Sequence, residues 1–268
     1  MFFRNDVLES GSVFNSVSLG TNKRIGVKYI YIYIVLLTFR CRQRHPSSFL
    51  ISPEFRTDPV WSHIQRISPL AQMEFAIQHT WDSNPVNHEP IRVVFSPGQG
   101  GLKMEVSGPF FNDPAAPAGP PGQAFPGLWD YEVVESFFLD SATENYLEVE
   151  LCPHGQHLIL LLSGVGQAFQ QQLPMVFDAT ITGDRWMGEA LLPWSYFPPN
   201  VNKMNSYAIH GSGEKRTYEA LYPIPRAEIV EGQKPNFHRL EYFQNFRLQS
   251  IMGEGWIQPE SDLWRGKP

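Results

Sequence analysis

From Met73 onward, apolar and polar positions alternate with a period of two. Phe75, Ile77 and Trp81 alternate with Glu74, Gln78 and Thr80, Ile91, Val93 and Phe95 with Arg92 and Ser96, and Leu102, Met104 and Val106 with Lys103 and Glu105. This period sends successive side chains to opposite faces, so it predicts half-buried strands. The break SPGQGG between Phe95 and Leu102 reads as a glycine-rich hairpin connection. Prolines 109, 114, 117, 120, 121 and 126 then exclude both helix and sheet ladder, so Pro109 to Gly127 is expected to be a long loop. A loop of that length in a compact domain is functional or a mobile surface feature.

Strands resume at Tyr131 to Leu139, Tyr146 to Leu151 and His157 to Leu162, with a turn at Cys152 to Gln156. Further runs follow at Val176 to Ile181, Trp186 to Leu192, Tyr207 to His210, Thr217 to Tyr222 and Phe237 to Phe246, and Pro193 to Phe197 reads as one helical turn. About ten short strands without helical periods between them predict an all-β fold, an antiparallel β-sandwich with few short helical turns. The expected domain is 73–268. Trp256 and Trp264 in its polar tail imply that the tail packs on the domain. Residues 1–72 show no sustained period and are expected to form a poorly structured N-terminal extension.

Composition narrows the function classes. Apolar residues make up 42% and charged residues 18%, with 23 prolines and 21 glycines, as suits a globular chain of strands and turns. A net charge of -6 offers no basic surface for phosphates, so nucleic acid is excluded as a partner. Cys41 and Cys152 give no disulfide framework, and a reducing, cytoplasmic location is expected. The apolar segment Tyr29–Phe39 is shorter than the roughly 20 residues that span a bilayer, so a membrane partner is not expected.

The run WDYEVVESFFLD at 129–140, then YLEVE at 146–150 with Pro153 and Gly155, resembles the family 9 carbohydrate-binding modules and their DOMON-like relatives. Trp186 to Trp194, Arg216 to Pro223 and Phe237-His238 fall in the order those modules show. A closer resemblance joins WDYEVVESFFL, YLEVELCPHGQHLILLLSG, LPWSYFPPN, AIHGS, YEALYPIP and QPESDLW to the family labelled chromosome 4 open reading frame 33. Members of that family begin near Met73, so residues 1–72 are atypical for it. The closer resemblance implies the fold; the looser one implies a ligand, with Glu135 matching a sugar-hydroxyl acceptor.

Glu135 shares a strand face with Tyr131, Val133 and Phe137, so if that face is covered its charge needs a partner, and Arg216 is the expected one, through two parallel hydrogen bonds. A purely structural Glu135–Arg216 pair is the competing reading. Trp129 ends the proline-rich loop and offers an indole platform at the sheet rim, with Tyr222 a second platform. Trp186 and Trp194 read as core. Glu148 and Glu150 point away from Leu147, Val149 and Leu151, and a solvated strand face is expected for them. His210 and His238 are placed near strand ends, where they help line a pocket. Cys152, His154 and His157 spell C-x-H-x-x-H, but Pro153 and Gly155 explain that segment as a turn, and no metal is expected. Neither a G-x-S-x-G elbow nor a phosphate-binding glycine loop is present.

These readings converge on a non-catalytic binding domain, not an enzyme, for a carbohydrate or other small polar ligand, without cofactor. Trp129, Glu135, Arg216, Tyr222, His210, Glu148 and Glu150 are the expected ligand-binding residues, and no residue is assigned catalysis. An intracellular protein-interaction domain with no sugar site is the alternative. A glycoside or metal-assisted hydrolase using Glu148 and Glu150 ranks third, and haem binding below it.

Overall fold

The computed structural model describes residues 72–266. The expected extension 1–72, save Gln72, and the segment Tyr29–Phe39 lie outside the described residues. In chain order the strands are β1 (Met73–Ile77), β2 (His79–Thr80), β3 (Ile91–Gly98), β4 (Gly101–Pro109), β5 (Val133–Asp140), β6 (Asn145–Leu151) and β7 (His157–Ser163). They continue as β8 (Ala168–Gln171), β9 (Val176–Thr182), β10 (Arg185–Pro193), β11 (Lys203–His210), β12 (Thr217–Ala220) and β13 (Gln244–Asn245). Among the described residues a short α-helical turn, α1 (Gln249–Met252), follows.

One sheet runs β1-β3-β4-β10-β9 and the other β2-β12-β11-β5-β6-β7-β8, with β13 beside β11. All the named strand pairs are antiparallel. The hairpin between β3 and β4 turns on Gly100, whose φ of 79° is in the region glycine adopts freely. The described residues therefore form an all-β antiparallel sandwich.

The alternation seen in the sequence builds the inter-sheet core. Val93, Phe95, Met104, Val106 and Trp186 on one sheet meet Val134, Phe138, Leu147, Val149 and Ile159 on the other. Trp194 lies in the same core, and Trp256 from the tail packs against it at 4.7 Å between ring centroids. Trp264 meets Phe169 edge-on at 5.2 Å.

The larger sheet departs from the half-solvated pattern. Every residue of β5 and β6 is buried, because Phe237, Leu240 and Phe243 cover its outer face and join Val133, Phe137, Tyr146 and Tyr207 in a second cluster. Tyr207 lies flat on Phe237 at 4.0 Å. The strand expected over Phe237 to Phe246 is corrected: the segment forms a 3-10 turn at Leu240–Tyr242 and pairs only at Gln244–Asn245, because its aromatic side chains turn down onto the sheet as a roof.

Candidate functional site

Strand order determines which side chains share the roofed face. β11 pairs with β5 and β5 with β6, so Tyr207, Glu135, Glu150 and Leu158 form one row across the sheet. The next row reads Asn205, Phe137, Glu148 and Leu160. Three carboxyls thus sit among aromatic and aliphatic neighbours. The solvated face expected for Glu148 and Glu150 is corrected: they are 5% and 0% exposed, because Phe237, Leu240 and Phe243, with Leu128 and Tyr131, pack over that side.

Beside these rows opens a cavity of about 800 Å³, with Glu135 and Glu148 in its lining. Trp129, Tyr218 and Phe237 supply aromatic wall, Leu160, Leu162 and Ala168 the aliphatic part, and Asp130, Arg216, Asn236 and His238 the polar rim. Volume and mixed lining match a small-molecule site.

Trp129 is held in a 3-10 turn, Leu128–Asp130, anchored by fully buried Leu128 and entered through Gly127 at φ 73°. The residue is 41% exposed, an unusual state for tryptophan. Arg216 fixes that turn: its Nη2 donates to the Trp129 carbonyl at 2.5 Å, and its Nη1 to the carbonyls of Asp130 at 3.0 Å and Gly211 at 3.1 Å. The bidentate Arg216–Glu135 pair expected from sequence is therefore corrected. The guanidinium is spent on three carbonyls and acts on Glu135 through its field alone.

Burial dominates the electrostatics. It pushes the Glu135 carboxyl up to about 8, with Arg216 opposing the rise. Glu148 and Glu150 are held well above the ordinary carboxylate value by burial first and by neighbouring carboxyls second. A move from 4.5 to about 8 is worth roughly 5 kcal/mol in favour of the neutral form. The floor at neutral pH is thus largely carboxylic acid, which both donates and accepts hydrogen bonds. One Glu148 oxygen and both Glu150 oxygens have no hydrogen-bond partner.

His238 completes the rim. The Tyr146 hydroxyl accepts from the Gly166 N–H at 2.7 Å and shares a hydrogen bond of 2.8 Å with His238 Nδ1. Burial lowers the His238 value, in keeping with a neutral ring.

Three expected members do not line the cavity: Glu150 is fully buried in the row of Glu135, and Tyr222 and His210 lie elsewhere. Tyr222 lies past the end of β12, where the Asn205 side chain takes up its N–H at 3.0 Å and its carbonyl at 2.9 Å, and it packs against the inter-sheet core. His210 shares the inner face with Ala208, and its ring stacks on Phe111 at 3.6 Å between centroids. Tyr218 and Phe237 take the wall positions instead. Tyr218 was findable, since alternation along β12 places it opposite Glu219; Phe237 was not, since only the tertiary path of its segment brings it there. Cys152, His154 and His157 do not converge on one point among the described residues. The His154 ring meets Phe110 and the His157 ring meets Phe177.

Among the described residues no helix is long and apolar enough to cross a membrane. No family model matches the chain. A solved structure from Bacteroides uniformis, described as a candidate carbohydrate-binding protein, is 14% identical, covers 65% of this chain and 84% of its own, and superposes with a TM-score of 0.49. At that score the likeness bears no weight on function. Among curated proteins, the UPF0462 protein C4orf33 homolog of Danio rerio is 71% identical over 192 residues, which are 72% of this chain and 98% of the relative. The human UPF0462 protein C4orf33 is 60% identical over 192 residues, 96% of its length. The chain belongs to the family of UPF0462 protein C4orf33.

Proposed function

We propose that the cavity binds a neutral, hydroxyl-rich small molecule, a carbohydrate being the leading class, and does so without catalysis. The observation that carries this reading is the pairing of a half-exposed Trp129 indole at the rim with protonated Glu135 and Glu148 on the floor. An indole face packs against the C–H side of a sugar ring, while neutral carboxyls and the unpartnered Glu148 oxygen meet its hydroxyls. A hydrophobic ligand would leave those floor atoms unsatisfied.

Glycan-array screening of the whole chain, followed by calorimetry on any hit, tests the reading. Trp129→Ala is expected to lower affinity by more than about tenfold while moving the thermal midpoint little, because the side chain is half exposed. A blank array, or a hit indifferent to Trp129→Ala, would reject it.

A second reading has one observation in its favour. Glu135 and Glu148 are neighbouring cavity carboxyls, and a glycosidase uses such a pair for acid-base work, one protonated and the other ionised. Turnover of chromogenic glycosides that disappears in Glu148→Gln would replace the binding reading with it.

A further inference from the structure

Away from the cavity floor, three potential metal ligands converge. His88 comes from the segment between β2 and β3, His210 ends β11, and Glu219 lies in β12. The Nε2 atoms of His88 and His210 both lie 2.7 Å from the same Glu219 oxygen, Oε1. All three ligand atoms fall within 4.8 Å of one another.

Two further details point to a cation. His88 Nδ1 lies 2.9 Å from the Glu89 carbonyl oxygen, which can only accept, so the Nδ1 proton is fixed and Nε2 is directed inward. Metal-ligating histidines anchor their far nitrogen in this way. The Glu219 side chain has no exposed surface, and its Oε2 has no partner. A buried carboxylate left half-used is a deficit that a coordinated ion removes. Phe111 sets both rings, stacked on His210 at 3.6 Å and edge-on to His88 at 5.0 Å between centroids.

We propose that His88, His210 and Glu219 form a site for a divalent first-row transition metal of the zinc class, with one coordination position left to water or a small ligand. Two imidazoles and a carboxylate suit that class, and three protein ligands leave a position that a four-ligand structural site would close. The ion replaces the inward Nε2 protons, which leave to solvent, and no redox change is involved. Bonds of about 2.0 Å on a tetrahedral ion set ligand atoms about 3.3 Å apart, so each His–Glu separation widens by roughly half an ångström on binding. His88, with 16% of its side chain exposed, gives the entry path.

The position has a structural consequence. The connection 211–216 carries Ser212, Gly213 and Arg216 to the cavity; it leaves β11 at His210 and enters β12 just ahead of Glu219. A bound ion ties both stems of that connection to the segment holding His88.

Chelator-stripped whole chain, titrated with zinc sulfate by calorimetry beside His88→Ala, His210→Ala and His154→Ala, tests the site. One ion per chain is expected for the parent and for His154→Ala, with affinity at least about 100-fold lower in His88→Ala and His210→Ala. Saturating zinc should raise the thermal midpoint of the parent and leave that of His88→Ala in place. If His210→Ala does not fold, His88→Ala decides, because His88 stands outside the strands. Absence of a stoichiometric site in the parent, or binding that His88→Ala leaves unchanged, would overturn the proposal.

Discussion

Glu135 and Glu150 stand directly opposite each other across the β5–β6 pair, and both are buried. Side chains so placed have Cβ atoms roughly 5 Å apart. Two carboxyls at that separation in an apolar setting do not ionise together, so they share their protons with Glu148 as one coupled unit.

Stability should therefore fall as the pH rises above neutrality. The folded chain holds protons that the unfolded chain releases near 4.5, so this contribution is full below that value and is lost as pH rises through about 8. His154, His157 and His238 have lowered values and act in the opposite sense, losing stability as pH falls below their ordinary 6.5. His88, raised by its hydrogen bond to Glu219, loses stability as pH rises above 6.5 and so adds to the carboxyls between pH 7 and 8, where Glu135→Gln separates the two. Urea unfolding should show a decline of about 1.4 kcal/mol per pH unit for each group still protonated, shallower in Glu135→Gln. A flat profile there would contradict the protonated floor.

Glu150→Leu should stabilise the fold. Both carboxyl oxygens are buried without partners, and a leucine of similar reach removes that deficit, for a gain of about 1–3 kcal/mol in chemical denaturation. A loss of stability would reveal a counter-group that Glu150 serves.

Arg216→Met should act on two residues at once. It frees the carbonyls of Trp129 and Asp130, costing about 1–2 kcal/mol and mobilising the indole, which fluorescence anisotropy reads. It also removes the positive field opposing burial, so the Glu135 titration followed by carboxyl carbon NMR should move above about 8. An unchanged titration would mean that Arg216 does not act on the floor.

Trp264→Ala tests the tail. The side chain is 4% exposed and packs edge-on to Phe169, so truncation should cost about 3–5 kcal/mol by urea unfolding. A cost near zero would show that the tail is dispensable to the sandwich.

The sandwich was legible because alternation is a direct record of which face each residue takes. Val134 and Phe138 against Glu135 and Phe137, and Val149 against Glu148 and Glu150, were sorted correctly by position alone. What covers the second face was not legible. Phe237 and Phe243 lie in an irregular segment whose fate depends on tertiary path, so Glu148 and Glu150 read as solvated when they are buried. Tyr222 misled for a related reason: its strand ends at Ala220, and Asn205 then redirects the backbone. His88 carried no motif at all, because its partners lie more than a hundred residues away.

The double covering of β5 and β6 leaves two independent vocabularies interleaved in the same few residues. Odd-numbered positions of β5 speak to the cavity and even-numbered ones to the other sheet; in β6 the parities reverse. The chemistry of the floor can thus be rewritten residue by residue, from acid to amide to hydrocarbon, while the seam between the sheets keeps its wording.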